Sequence, residues 1–182
     1  MVSIHSPIST SFEQAILQWR LTTEIFSGPL AFHSLFQEAA DMLHIPLSTR
    51  FQLSPSAVIT GKMFGNGVYF ANASTKSAGY IGTNKDNIGF MFLCEIALGT
   101  PKKETQSVSH SGTPVGYDSV HGVGQWQPDQ ESHIIKQDGL IIPVGKLQNF
   151  GGSGLLYDEF IVYDTAQIKM KYLLELEIGN AK

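Results

Sequence analysis

An α+β fold follows from a change of pattern along this 182-residue chain. Before residue 50, apolar residues recur at helical spacing. After Val58 they gather in short β-branched and aromatic runs, cut by glycine, proline and asparagine. The final run, Lys169-Met170-Lys171-Tyr172-Leu173-Leu174-Glu175-Leu176-Glu177-Ile178, largely alternates polar with apolar, as a half-buried antiparallel strand does. Helices first and strands mostly later is the order of an α+β domain.

The first helix is expected over residues 11–21. Thr10-Ser11-Phe12-Glu13 offers a capping box, and Phe12, Ala15, Ile16 and Trp19 share one face. A second, over residues 29–44, starts at Pro29 and carries the stripe Phe32, Leu35, Phe36, Ala39, Met42, Leu43. Strands are expected at Gly67-Val68-Tyr69-Phe70, along residues 89–98, at Glu159-Phe160-Ile161-Val162-Tyr163, and in the alternating final run. Residues 100–154 are rich in Gly, Ser, Pro, Asp and His, and only residues 139–144 read as a strand there; a loop of that length in a compact domain is usually functional. With no repeat and no linker, residues 1–182 are expected to form one domain.

Composition narrows the function. The formal charge is −4 and no basic stripe is present, so direct binding to DNA is not expected. Cys94 is the single cysteine and lies within Phe90-Met91-Phe92-Leu93-Cys94, which excludes a disulfide framework or cysteine-based metal site and marks it as core filler. No signal-peptide pattern and no run of about 20 apolar residues occurs, so no membrane association is expected and the chain should be soluble and intracellular.

Two segments carry chemistry: Thr60-Gly61-Lys62-Met63-Phe64-Gly65-Asn66-Gly67-Val68-Tyr69-Phe70-Ala71, continuing to Lys76-Ser77-Ala78-Gly79-Tyr80, and Leu155-Leu156-Tyr157-Asp158-Glu159-Phe160-Ile161-Val162-Tyr163-Asp164. Both closely resemble signature stretches of the poly(ADP-ribose) polymerase catalytic domain. The resemblance continues through Glu95-Ile96-Ala97-Leu98-Gly99, Ser119-Val120-His121-Gly122-Val123-Gly124, Pro128-Asp129, and Asp138-Gly139 to Pro143-Val144-Gly145. It implies an ADP-ribosyltransferase fold, mainly antiparallel split β-sheets around an NAD cleft with N-terminal helices. It also implies transfer of ADP-ribose from NAD to protein acceptors, the chain itself among them, with release of nicotinamide and no metal.

Breaking the nicotinamide–ribose bond develops positive charge on the ribose, so a fixed carboxylate beside it favours the transition state over the ground state. The resemblance places Glu159 in that role. A general-base contribution to activating an acceptor hydroxyl adds about 10²–10⁴-fold. Tyr69 matches the tyrosine of the family's histidine–tyrosine–glutamate triad, Tyr80 the ring that stacks on nicotinamide, and Ser77 a hydroxyl that bonds its carboxamide. Lys76 matches a lysine lining the cleft, and Gly67, with Gly65, lets backbone approach a ligand closely.

The family's first motif, a strand-end histidine followed by glycine, is altered here. His5-Ser6-Pro7, preceded by Val2-Ser3-Ile4 and followed by Ser11 where the family has asparagine, is favoured over His33-Ser34, which falls inside the second expected helix. Choosing His5, with Ser6 and Ser11, makes residues 22–50 an inserted helical element and residues 100–154 the acceptor-side region. Polymer formation, mono-ADP-ribosylation, NAD hydrolysis and a non-catalytic binding module all remain open at this level. No DNA-sensing fingers or helical regulatory domain are recognisable, so nicked DNA is not expected to stimulate the chain.

Overall fold

The computed structural model describes residues 2–4 and 62–177. The two expected N-terminal helices, His5, Ser6, Ser11, His33 and the 22–50 element lie outside them. Two sheets organise the described residues. The first has the order β1 (Val2–Ile4), β11 (Ile168–Glu177), β3 (Ile88–Ile96), all antiparallel. The second has the order β2 (Val68–Phe70), β10 (Glu159–Val162), β5 (Ser119–Gly122), β4 (Pro101–Glu104), antiparallel except for the parallel pair β4 and β5.

Period-2 alternation sorts the side chains of the second sheet. Val68 and Phe70 of β2, with Phe160 and Val162 of β10, pack on Cys94 and Ile96 of β3 and on Leu98, forming a core between the sheets. Ile161 and Val120 face the other way, where they meet Phe64 and Leu155, with Tyr69 and Tyr163 packed against this second cluster. Strand β10 is buried throughout because both its faces are covered. Cys94 is buried and unbonded, and burial pushes its thiol pKa up, consistent with core filler rather than chemistry.

The strands expected near residues 67–70, 89–98 and 159–163 and in the final run all form, and β11 pairs antiparallel on both edges. The stretch 100–154 departs from expectation. Besides β8 (Ile141–Ile142), within the expected 139–144, it holds β4, β5, β6 (Trp126–Pro128), β7 (Ile134–Ile135) and β9 (Leu147–Asn149). These strands have two to four residues and sequences such as PKKE and LQN. Such segments are too short to show a period, and their pairing is set by the strands they meet rather than by their own propensity.

Candidate active site

The short helix α1 (Ser74–Ala78) follows β2 and brings Lys76 toward β10. Lys76 Nζ donates to Glu159 Oε1 at 2.7 Å and to Tyr80 Oη at 3.1 Å, and it stands 5.0 Å from the centre of the Tyr80 ring. Glu159 is the first residue of β10 and is buried, at 5% exposure. Burial disfavours the Lys76 charge, but the hydrogen bond and charge of Glu159 outweigh it and hold the ammonium above the usual lysine range. Ser77, the next residue of α1, is buried, and its carbonyl accepts from Tyr80 N–H at 3.0 Å. Lys76, Ser77, Tyr80 and Glu159 thus form one constellation.

Tyr69 lies opposite Ile161 in the β2–β10 register, so period-2 alternation puts it on the sheet face of Ile161 and Glu159. Its hydroxyl is committed locally: it accepts from Phe64 N–H at 2.9 Å and donates to the Gly65 carbonyl at 2.8 Å. Burial, above all, makes its phenolate unfavourable and raises its pKa. Tyr163 holds the same turn, donating to the Phe64 carbonyl at 2.6 Å. Gly65 has φ +89° and backs onto the His110 backbone, so the turn admits no side chain there. Gly67 has a packing reason for being glycine. A Cβ there would meet Ile161 Cγ2 at 2.4 Å and the Val162 carbonyl at 2.9 Å, so close packing on β10 excludes a side chain.

Sequence reasoning missed the residue beside Glu159. Asp158 is 3% exposed; its Oδ2 accepts from Asn72 Nδ2 at 2.7 Å and its Oδ1 from Gly124 N–H at 2.8 Å. His121 Nε2 stands 3.3 Å from the same Oδ1 without hydrogen-bond geometry, and its ring stacks on Phe160 with centroids 4.4 Å apart. The available signal was a second carboxylate within the apolar run of residues 155–162, where a charge must be paired. Among the described residues no group of three or more His, Cys, Asp or Glu could hold a metal.

A buried carboxylate at the head of a central strand, held by a lysine of the helix that follows the neighbouring strand, with a tyrosine just past that helix bonded to the lysine, is the arrangement of a candidate site of the ADP-ribosyltransferase class. The model of the poly(ADP-ribose) polymerase catalytic domain matches residues 40–178, and the chain belongs to that family. The match begins before Thr60, where the motif resemblance starts. Poly(ADP-ribose) polymerase 1 of Danio rerio is 43% identical over 129 residues, covering 69% of this chain and 12% of that protein. Poly(ADP-ribose) polymerase 2 of Arabidopsis thaliana is 40% identical over 129 residues, covering 69% of this chain and 20% of its own length. Poly(ADP-ribose) polymerase of Sarcophaga peregrina is 41% identical over 125 residues, 67% of this chain and 13% of that protein. The chain therefore spans a minor part of the relatives it matches.

Proposed function

We propose that this chain cleaves nicotinamide from NAD and transfers the ADP-ribose to protein acceptors, itself included, with elongation to polymer. The observation that carries the proposal is the Glu159 carboxylate, buried yet held at 2.7 Å by Lys76 beside the Tyr80 ring. The donor set suits NAD as substrate: the Ser77 hydroxyl can donate to and accept from a carboxamide, and the Tyr80 and Tyr69 rings supply flat apolar surface for a pyridine. Glu159 stabilises positive charge developing on the ribose and accepts from a ribose hydroxyl. Lys76 holds that carboxylate in place through its 2.7 Å hydrogen bond. Tyr69, through its hydroxyl, fixes the turn ahead of β2, and Gly67 lets β2 lie close on β10.

The same proposal takes residues 1–182 as one α+β domain with N-terminal helices over residues 11–21 and 29–44, the second within an inserted element at 22–50. It takes residues 100–154 as the acceptor side, His5 as the contact to the adenosine ribose with His33 as the alternative, Ser6 as a backbone contact to the nicotinamide carboxamide, and Ser11 in the place of the family's asparagine. The protein is proposed to act inside the cell without binding DNA or membrane directly. Among the described residues no helix is long and apolar enough to cross a membrane.

Purified chain incubated with labelled NAD tests this. Nicotinamide release with a ladder of labelled protein supports polymer formation; a single labelled species marks mono-ADP-ribosylation. Free ADP-ribose without adducts marks hydrolysis instead, and release of no nicotinamide by folded protein overturns the enzyme assignment.

A further inference from the structure

The helix that delivers Lys76 has five residues, and no side chain caps its N-terminus. A single turn of this kind is not stable by its own hydrogen bonds. It must be held from outside. Asn72, just before the helix N-cap Ala73, is 5% exposed and donates to Asp158 Oδ2 at 2.7 Å. Two parallel bridges therefore join the same pair of segments: Asn72 to Asp158, and Lys76 to Glu159. Asp158 is in turn tied to the β5–β6 connection through Gly124 N–H. A Cβ on Gly124 would come within 2.3 Å of the Asp158 backbone nitrogen, so these segments are in direct backbone contact.

We propose that Asp158 is the positioning residue of the site: by clamping Asn72 to the Gly124 backbone it fixes where α1 starts, and so sets the Lys76–Glu159 separation. The Asp158 carboxylate is buried, at 3% exposure, among Asn72, the Gly124 backbone and His121. Its effect passes entirely through Lys76 and Glu159. The inference rests on the transferase reading for its catalytic consequence, but its geometric content does not.

The test uses the full chain with Asn72→Leu, which removes the donor at similar volume, and the exchanged pair Asn72→Asp with Asp158→Asn, which rebuilds the hydrogen bond with donor and acceptor reversed. Two quantities are read: the titration of Lys76 followed by side-chain NMR, and the rate of nicotinamide release at saturating NAD. In Asn72→Leu the Lys76 titration moves to lower pH as the Glu159 contact loosens. The saturated rate falls roughly tenfold to a hundredfold, the scale of a small misplacement of catalytic groups. The exchanged pair recovers most of both. Should Asn72→Leu not fold, the shorter Asn72→Ser reads the same quantities. Folded Asn72 variants with an unmoved Lys76 titration, or a folded exchanged pair that restores neither quantity, overturn the positioning role. Wild-type protein that leaves NAD intact overturns the transferase reading instead, and the Lys76 titration then decides the positioning role alone.

Discussion

Lys76 and Glu159 are separated by 83 positions in sequence, yet their side chains meet at 2.7 Å with the glutamate side chain only 6% exposed. That pair joins the two motif-bearing halves of the chain, and each partner answers a cost the other would otherwise impose: an unpaired charge in this setting is unfavourable.

Replacing Glu159 by Gln keeps the shape and a hydrogen-bond acceptor for Lys76 but removes the charge. Nicotinamide release should fall about 10²–10³-fold, as when one preorganised electrostatic contact to a transition state is removed, with folding kept. The variant's turnover beside its melting curve checks this; a folded variant with wild-type turnover would sink the role given to Glu159.

Lys76→Met leaves the Glu159 carboxylate buried without its cation. A destabilisation of about 1–3 kcal/mol is expected from the unpaired group, readable by denaturant titration. An unchanged midpoint would mean that solvent replaces Lys76.

Alkaline pH should weaken the fold. Lys76, Tyr69 and Tyr163 all hold their protons beyond their ordinary values: the lysine because Glu159 outweighs burial, the tyrosines because burial penalises the phenolate, with Tyr163 pushed up to about 12. The unfolded chain releases these protons near pH ~10, so above that it binds fewer protons than the folded state and stability falls with rising pH. The contribution is complete below the unfolded values and is lost as pH rises through the folded ones. Denaturation midpoints between about pH 9 and 11 follow this, and Tyr163→Phe should flatten the slope. An equal slope in that variant removes Tyr163 from the account.

Glycines divide by what stands behind them. Gly124→Ala would set its Cβ 2.0 Å from the Tyr157 backbone carbon, whereas Gly112 has nothing within 4 Å and no left-handed φ. The first substitution should cost at least about 2 kcal/mol through a clash that no side-chain rotation relieves, the second less than about 0.5 kcal/mol. Similar melting temperatures for the two would contradict the packing at Gly124.

Much of the strand framework was legible in the chain. Residues 67–70, 89–98 and 159–163 carry enough aromatic and β-branched side chains to announce strands, and the alternating final run announces β11. Of the site, Glu159, Lys76, Ser77 and Tyr80 were legible through motif resemblance, since nothing in their spacing brings β10 to α1. Strands β4 and β5 were not legible because Pro101–Glu104 reads as charged loop, and only its partner across the sheet makes it a strand. Asp158 escaped because its role depends on Asn72 and Gly124, residues without any chemical signal of their own.

Gly122 and Glu159 are direct partners in the β5–β10 register, so the chain leaves the sheet at one and re-enters at the other. Residues 123–158 are thus a closed excursion whose two feet stand side by side at the carboxylate. Closing a flexible loop costs entropy only logarithmically in its length, about 0.6 kcal/mol for each doubling. The outer part of the excursion, beyond the β6–β9 pair, is therefore free to lengthen or shorten with little effect on the sheet beneath it, while Gly124, Leu155 and Asp158 at its feet are packed in place. This topology leaves one stretch of chain free to diversify while it keeps the carboxylate fixed.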